Sequence, residues 1–324
     1  VRLIRDLDEL PEQFRGAAVS IGNFDGVHWG HARIIERLSA LAREAGTSAV
    51  VFTFEPHPDR ILHPRQAPAP LGWTDRKARL LGEFGADAVV AYPTDRALLK
   101  LDAGEFFDRI VRGRLAGQIL VEGPNFFFGR DRSGSIEVLR RLCEEAGVKL
   151  DVVEPVQIGG EIVSSSRIRG LIAAGRLEEA AQLLTQPYRI RGTVIHGAGR
   201  GVKLGYPTAN LGRIDTLLPG EGIYAGRAWV DDPAATCGAA PAPQEWPAAI
   251  SIGPNPTFEE TALKVEFYLI GYQGRLYDRA VEVDFLARLR DIRQFGSADQ
   301  LALQIDRDVA AARQVVQQYH SSRQ

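Results

Sequence analysis

From residue 17 to about residue 184, short apolar runs alternate with segments in which apolar residues recur every three or four positions. The runs AAVSIGN (17–23), SAVVFTF (48–54), DAVVAY (87–92), GQILVEG (117–123) and KLDVVEP (149–155) read as strands. Between them, ARIIERLSALAREAG (32–46), DRKARLLGEFG (75–85), GEFFDRIVRG (104–113) and SIEVLRRLCEEAG (135–147) carry helical periodicity and mostly close on glycine, a helix-stop signal. This alternation predicts a doubly wound, Rossmann-like α/β domain built on a parallel sheet.

A helix over LEEAAQLLTQ (177–186) leads to Pro187, where the pattern changes. From Tyr188 to about Leu289 the chain reads as short strands punctuated by glycine and proline: RIRGTVIH (189–196), GIYAGRAWV (222–230), PAAISIG (247–253), LKVEFYLIG (263–271) and RAVEVDFLARL (279–289). That spacing predicts a small antiparallel β-barrel. DDPAATCGAAPAPQEWP (231–247) is expected to be a flexible excursion between two strands. Helical periodicity returns in ADQLALQIDRDVAAARQVVQQY (298–319), expected to pack on the barrel. The expected domains are 1–186 and 187–324.

Composition narrows the chemistry. The 39 basic and 41 acidic residues leave a formal net charge of −2, so no global positive field draws the chain to nucleic acid or an anionic membrane, and phosphate binding must be local. Cys143 and Cys237 lack the spacing of a zinc site or a redox dithiol and read as reduced thiols. No apolar stretch reaches the length of a membrane span, and the opening VRLIRDLDEL carries acids where a secretory signal needs an apolar run, so a cytoplasmic protein is expected.

Two segments carry phosphate chemistry. In GNFDGVHWGH (22–31) a strand feeds a glycine-containing turn and then a helix, bringing backbone N–H groups and the helix N-terminus toward one point, a ready anion site. His28 and His31, three residues apart at the helix entry, can project toward the same group. In SSSRIRG (164–170) serine hydroxyls can cap the following helix, and Arg167 supplies a fork suited to phosphate. In HGAGRGVKLGYPTAN (196–210) a glycine-rich turn, with Gly197, Gly199 and Gly201, precedes an extended segment whose Thr208 and Asn210 face the same way. A hydroxyl and an amide carbonyl so placed can hold Mg²⁺ beside ATP, with Lys203 to neutralise phosphate charge.

The string GNFDGVHWGH resembles the HxGH nucleotidyltransferases. With FTFEPHP (52–58), NFFFGRDRSG (125–134) and SSSRIRG it resembles the adenylyltransferase half of the bacterial FAD synthetases, the bifunctional riboflavin kinase/FMN adenylyltransferases. HGAGRGVKLGYPTAN, followed in order by GIYAG (222–226), IGPNPTF (252–258), VEFYL (265–269) and LRDIRQF (289–295), resembles the riboflavin kinase half of the same family.

The resemblance implies one ATP site formed by Gly22, Phe24, His28, Gly30, His31, Ser165, Arg167 and Arg169, with His28, His31 and Arg167 stabilising charge during transfer. Asn125 and Arg132 fall on its flavin side. It implies a second ATP site with Gly197, Gly199, Gly201, Lys203, Thr208 and Asn210, Mg²⁺ held by Thr208 and Asn210, Glu266 as catalytic base and Arg290 toward the flavin phosphate. Riboflavin, FMN and ATP are then the implied small-molecule substrates. EGPNFFFG departs from the family pattern, which more often has valine at Glu122, aspartate at Asn125 and arginine at Phe127. On the residues alone, two alternatives stay open: a riboflavin kinase whose first domain no longer makes FAD, and a flavin-sensing protein without turnover.

Overall fold

In the computed structural model, which describes residues 1–197, 205–231, 244–254 and 263–322, the chain divides into two compact units, Val1–Ser165 and Ser166–Gln324. The first is built on six parallel strands: β1 (Arg2–Ile4), β2 (Ala18–Ile21), β3 (Ala49–Glu55), β4 (Ala88–Pro93), β5 (Ile119–Glu122) and β6 (Lys149–Val152), in the order β1-β4-β3-β2-β5-β6. The five strands expected from the apolar runs are all present. Sequence reading missed β1, which is three residues long and pairs with the edge of β4.

Alternation along each strand builds two cores at once, because successive side chains point to opposite faces. Val19, Ile21, Val50, Phe52, Val90 and Leu120 face one helical layer, and Ala18, Ala49, Val51, Val89, Ile119 and Val121 face the other. Helices Trp29–Glu44 and Thr74–Glu83 cover the second face through Ile35, Leu38, Leu41 and Leu81, whereas Ile136–Ala146 covers the first through Leu139 and Cys143. Helices on both faces of a parallel sheet make this unit doubly wound. The segment expected as one helix over 104–113 is split, a short α-helix Ala103–Phe106 running into a π-helix Phe107–Arg114. A small hairpin, β7 (Gln157–Ile158) with β8 (Glu161–Ile162), precedes helix Ser165–Ala173.

The second unit is a closed six-stranded antiparallel barrel: β9 (Arg189–Ile195), β10 (Ala209–Gly212), β11 (Gly222–Val230), β12 (Glu245–Gly253), β13 (Lys264–Leu269) and β14 (Ala280–Arg290), in the order β10-β13-β12-β11-β14-β9. The sixth strand is β10, read from sequence only as an extended segment; by pairing with both β13 and β9 it closes the barrel and removes the sheet edges. Tyr224, Ile250, Phe267 and Phe285 fill the interior. The C-terminal helix Ala298–Ser321, capped by the Ser297 hydroxyl, lies on the outside of the barrel. Its Asp308 is buried and takes Arg290 of β14 in a two-pronged ion pair (2.7–3.1 Å). Below it, Asp284, fully buried, accepts from Arg189 and from Arg227 (3.0 Å), and these guanidinium groups lie over Trp229.

Helix Leu177–Leu183 belongs to this second unit, with the Glu178 carboxylate accepting from the Arg288 N–H (2.8 Å). The composition change at Pro187 therefore falls inside the second compact unit. Gly199, Gly201, Lys203, Cys237, most of the predicted excursion 231–247 and the PTF of IGPNPTF lie outside the described residues.

Candidate active sites

The order of the first sheet reverses between β2 and β5: β3, β4 and β1 extend to one side and β5, β6 to the other. At such a switch point the carboxyl ends of the strands part and leave a crevice, the usual ligand position in open α/β sheets. GNFDGVHWGH begins one residue after β2 ends, so topology places the motif at this crevice. The parting is visible in the pairing. β2 meets β5 only through Ala18 and Val19, and beyond them the Ile21 N–H donates to the Glu122 carboxyl instead (2.7 Å). Burial pushes that carboxyl well above its ordinary range, opposed by this one hydrogen bond.

The turn is held in a costly conformation. Phe24 and Val27 have φ of 46° and 39°, a region that costs a non-glycine residue about 1–3 kcal/mol. Burial of both side chains holds them there, and Asp25 pins the turn by accepting from the Leu71 N–H (3.0 and 3.1 Å). Ser165 joins from the far end of the unit, its hydroxyl donating to the Asp25 carbonyl (2.8 Å).

His28 is the N-cap of helix Trp29–Glu44, its Nδ1 accepting from the His31 N–H (3.3 Å), and the two imidazoles stack with centroids 3.6 Å apart. Gly30 permits this: a Cβ there would lie 3.1 Å from the His28 ring. Phe24 closes against His31 edge-on at 5.2 Å. Burial lowers the His28 pKa to about 4 against one opposing backbone hydrogen bond. Burial lowers His31 well below its ordinary value too, helped by the charges of His28 and Lys77. Both rings are therefore neutral near pH 7. A neutral ring that accepts at Nδ1 carries its proton on Nε2, so His28 is a donor without a charge. His31 Nδ1 and Asn23 Oδ1 are buried and have no hydrogen-bond partner among the described residues, as expected of groups that meet a ligand.

A pH dependence follows. The folded pKa of His28 lies below the unfolded value near 6.5, so between those two values the unfolded chain binds a proton that the folded chain refuses. Stability is full above about pH 6.5 and declines as pH falls toward 4, by about 3 kcal/mol from this group. Denaturant titration at pH 7 and pH 4 is expected to show a smaller acid loss in His28→Asn than in the parent; equal losses would contradict the assignment.

Beside the turn lies a cavity of about 640 Å³, lined by Gly22 and Asn23, by His57 and Asp59 of FTFEPHP and its continuation, and by residues 125–132. Asn125 and Arg132, predicted from sequence, both line it. Phe126 and Phe128 stack at 5.3 Å in its wall, and Gly134 makes room for the Phe128 ring, since a Cβ there would lie 2.5 Å from it. Phe127 remains 46% exposed, with the Arg132 guanidinium over its ring at 4.6 Å. Lys77 is a neighbour that sequence reading missed, because nothing in DRKARLLGEFG separates it from a solvated helix lysine. Gly22, Phe24, His28, Gly30, His31 and Ser165 are brought together around the turn. Arg167 and Arg169 follow on helix Ser165–Ala173, in the second unit.

In the barrel, directly paired residues on neighbouring strands share a face. The register pairs Asn210 with Glu266, Glu266 with Ser251, Ser251 with Ile223 and Ile223 with Arg290. One lateral row on the outer face thus carries three predicted residues, Asn210, Glu266 and Arg290. Their strand neighbours Ala209, Val265, Phe267, Ile250 and Ile252 are buried within. Arg290 is engaged with Asp308 and with the Asp291 carbonyl (2.9 Å), so it clamps the C-terminal helix at the end of this row. Thr208 lies two residues before Asn210, just ahead of β10. Gly197 lies against Asn210 so closely that a Cβ would fall 1.9 Å from Nδ2, so the glycine leaves the amide room. Thr208 and Asn210 offer the hard oxygen donors that suit a divalent cation bound mainly by phosphates and water.

An α/β unit with a histidine pair at its switch point, followed by a closed barrel with a carboxylate between two polar neighbours on one lateral row, defines a transferase acting on nucleotide phosphates. The family model for FAD synthetase matches residues 10–167 and that for riboflavin kinase matches residues 184–316. The bifunctional riboflavin kinase/FMN adenylyltransferase of Pseudomonas fluorescens is 36% identical over 97% of both chains, and that of Escherichia coli K12 is 32% identical over 97% of this chain and 96% of its own. A solved structure named as a macrolide-efflux protein from Streptococcus pneumoniae is 28% identical and superposes with a TM-score of 0.81, covering 96% of this chain and 98% of that one. Among the described residues no helix is long and apolar enough to cross a membrane. The chain belongs to the bifunctional riboflavin kinase/FMN adenylyltransferase family.

Proposed function

We propose that the chain converts riboflavin to FMN with one ATP in its barrel and FMN to FAD with a second ATP in its α/β domain, the functional domains being 1–186 and 187–324. The reading rests on one observation above all: the two motifs form two separate constellations, one around His28 and His31, the other along the row Asn210–Glu266–Ser251.

In the barrel, Glu266 accepts the proton of the ribityl 5′-hydroxyl as that oxygen attacks the γ-phosphorus of ATP. Thr208 and Asn210 would hold Mg²⁺, which neutralises phosphate charge when bound. Gly197, Gly199, Gly201 and Lys203 cradle the phosphates, and Arg290 keeps the flavin end of the row in place. In the α/β domain the FMN phosphate attacks the α-phosphorus of ATP and pyrophosphate leaves, so no protein nucleophile is needed. His28 and His31 donate to phosphate oxygens from a dry, preorganised position, and Arg167 offsets the negative charge that grows on the departing pyrophosphate. Gly22, Phe24, Gly30, Ser165 and Arg169 shape the nucleotide side. Asn125 and Arg132 line the cavity for the flavin. The guanidinium of Arg132, resting on Phe127, supplies the positive charge that the family more often carries at position 127.

Incubation of the purified protein with riboflavin, ATP and Mg²⁺, with flavins resolved by chromatography, is expected to yield FMN and then FAD. FMN without FAD, even from added FMN, would reduce the protein to a kinase; no product would leave a flavin sensor. Gly197→Ala is expected to slow FMN formation about tenfold to a hundredfold, since Asn210 must leave its place, while FAD formation from added FMN continues unchanged.

A further inference from the structure

Three polar groups, Lys77, Asn23 and His31, converge where β2 gives way to the first motif. Lys77, in the first turns of helix Thr74–Glu83, donates from Nζ to Thr53 Oγ1 (3.3 Å), and Thr53 Oγ1 donates to the Asn23 carbonyl (3.2 Å). Asn23 Oδ1 and His31 Nδ1 are two of the buried side-chain atoms without a hydrogen-bond partner among the described residues, and the charge of Lys77 is felt at His31. Lys77 is desolvated, which lowers its pKa, while Asp25 and Glu55 favour the charged form. Neither carboxylate is idle: Asp25 accepts from the Leu71 N–H and Glu55 from the Thr74 hydroxyl. A half-buried ammonium whose hydrogen bond goes to a neutral hydroxyl is costly unless something anionic completes it.

The stacked histidines cannot supply charge, because both are neutral near pH 7. A nucleotide triphosphate entering this turn brings several negative charges into a poorly hydrated site. We infer that Lys77 is a further fixed cation of the adenylyl-transfer site and meets a phosphate oxygen of the nucleotide alongside Asn23 and His31. The inference rests on the adenylyltransferase reading above and adds to it a catalytic residue outside the HxGH and Ser/Arg motifs. A lysine suits the position because its compact ammonium can turn from Thr53 to a phosphate oxygen by rotation of its stem, without moving the helix.

The test uses the full-length protein. Lys77→Met is expected to lower kcat for FAD formation from FMN and ATP about a hundredfold or more while FMN formation from riboflavin stays within twofold, which certifies folding. Lys77→Arg is expected to recover part of the loss, because it keeps the charge, and Thr53→Val to cost less than Lys77→Met. Calorimetric titration with MgATP is expected to count two sites in the parent and to weaken one of them in Lys77→Met. Parent-like FAD formation in Lys77→Met would overturn the inference, and so would equal losses in Lys77→Met, Lys77→Arg and Thr53→Val, which would make the lysine a strut. If the parent makes no FAD, the adenylyltransferase reading falls; the titration then decides Lys77 by itself, unchanged ATP binding in Lys77→Met overturning its contact with phosphate.

Discussion

Glu266→Gln is expected to lower riboflavin phosphorylation by about a hundredfold to ten-thousandfold while conversion of added FMN to FAD proceeds at the parent rate. Glutamine has the size of glutamate and keeps one carbonyl oxygen toward its cross-strand neighbours Asn210 and Ser251, so the row and the barrel stay intact. What it loses is the capacity to take a proton. The 5′-hydroxyl of riboflavin is a poor nucleophile until that proton leaves, so the loss falls on kcat with little change in the KM for either substrate. Measurement of FMN and FAD formation on the same preparation checks both halves. A Glu266→Gln protein that still makes FMN within about threefold of the parent would sink the assignment, since general-base catalysis accounts for far more than that.

His31→Ala is expected to do the reverse, cutting FAD formation by about a hundredfold to a thousandfold, the cost of one preorganised donor to a developing oxyanion, and sparing FMN formation. His31 is stacked on His28 and edged by Phe24, so the truncation also opens a space between two buried rings. His31→Asn is the control for that space. It restores a polar side chain of smaller size, and a partial return of FAD formation would separate hydrogen bonding from packing. Loss of both activities together in a folded His31→Ala protein would contradict separate sites.

Much of this arrangement was legible in the chain. The five apolar runs became β2 to β6 because in a parallel sheet both faces are covered, and near-continuous apolar runs are the mark of such strands. The barrel strands announced themselves by glycine and proline spacing. The misses share a physical cause. β1 has three residues and β10 four, too short for a periodicity to be counted, and each exists because a neighbouring strand offers unpaired backbone groups. The π-helix at Phe107–Arg114 buries Phe107, Ile110 and Val111, a three-to-four-residue spacing that reads as α-helical, while the i to i+5 bonding that widens its turn leaves no mark in the sequence.

At the sites the division is sharper. Glu266, Asn210 and Arg290 were found as members of three separate strings; their place on one lateral row depends on the register of β10, β13, β12, β11 and β14, which no local pattern encodes. Arg290 was read toward the flavin phosphate, and the fold also gives it the buried carboxylate of Asp308, eighteen residues on. Lys77 was invisible for the same reason: its significance comes from Thr53 and His31, which the folding of β3 and the first helix against β2 brings to it.

By itself, then, the sequence determined the two fold classes, the order of the two units and the motifs GNFDGVHWGH and PTAN, because these depend on hydrophobic periodicity, glycine placement and residue type within a few positions of each other. Only the tertiary structure decided which neutral and charged groups face one another. It buried His28 and His31 until they lost their ordinary basicity, left Asn23 Oδ1 and His31 Nδ1 waiting for a partner, and set a lysine from a distant helix beside them. Protonation state and electrostatic coupling are set by burial and by charges distant in the chain, and these exist only once the chain has folded.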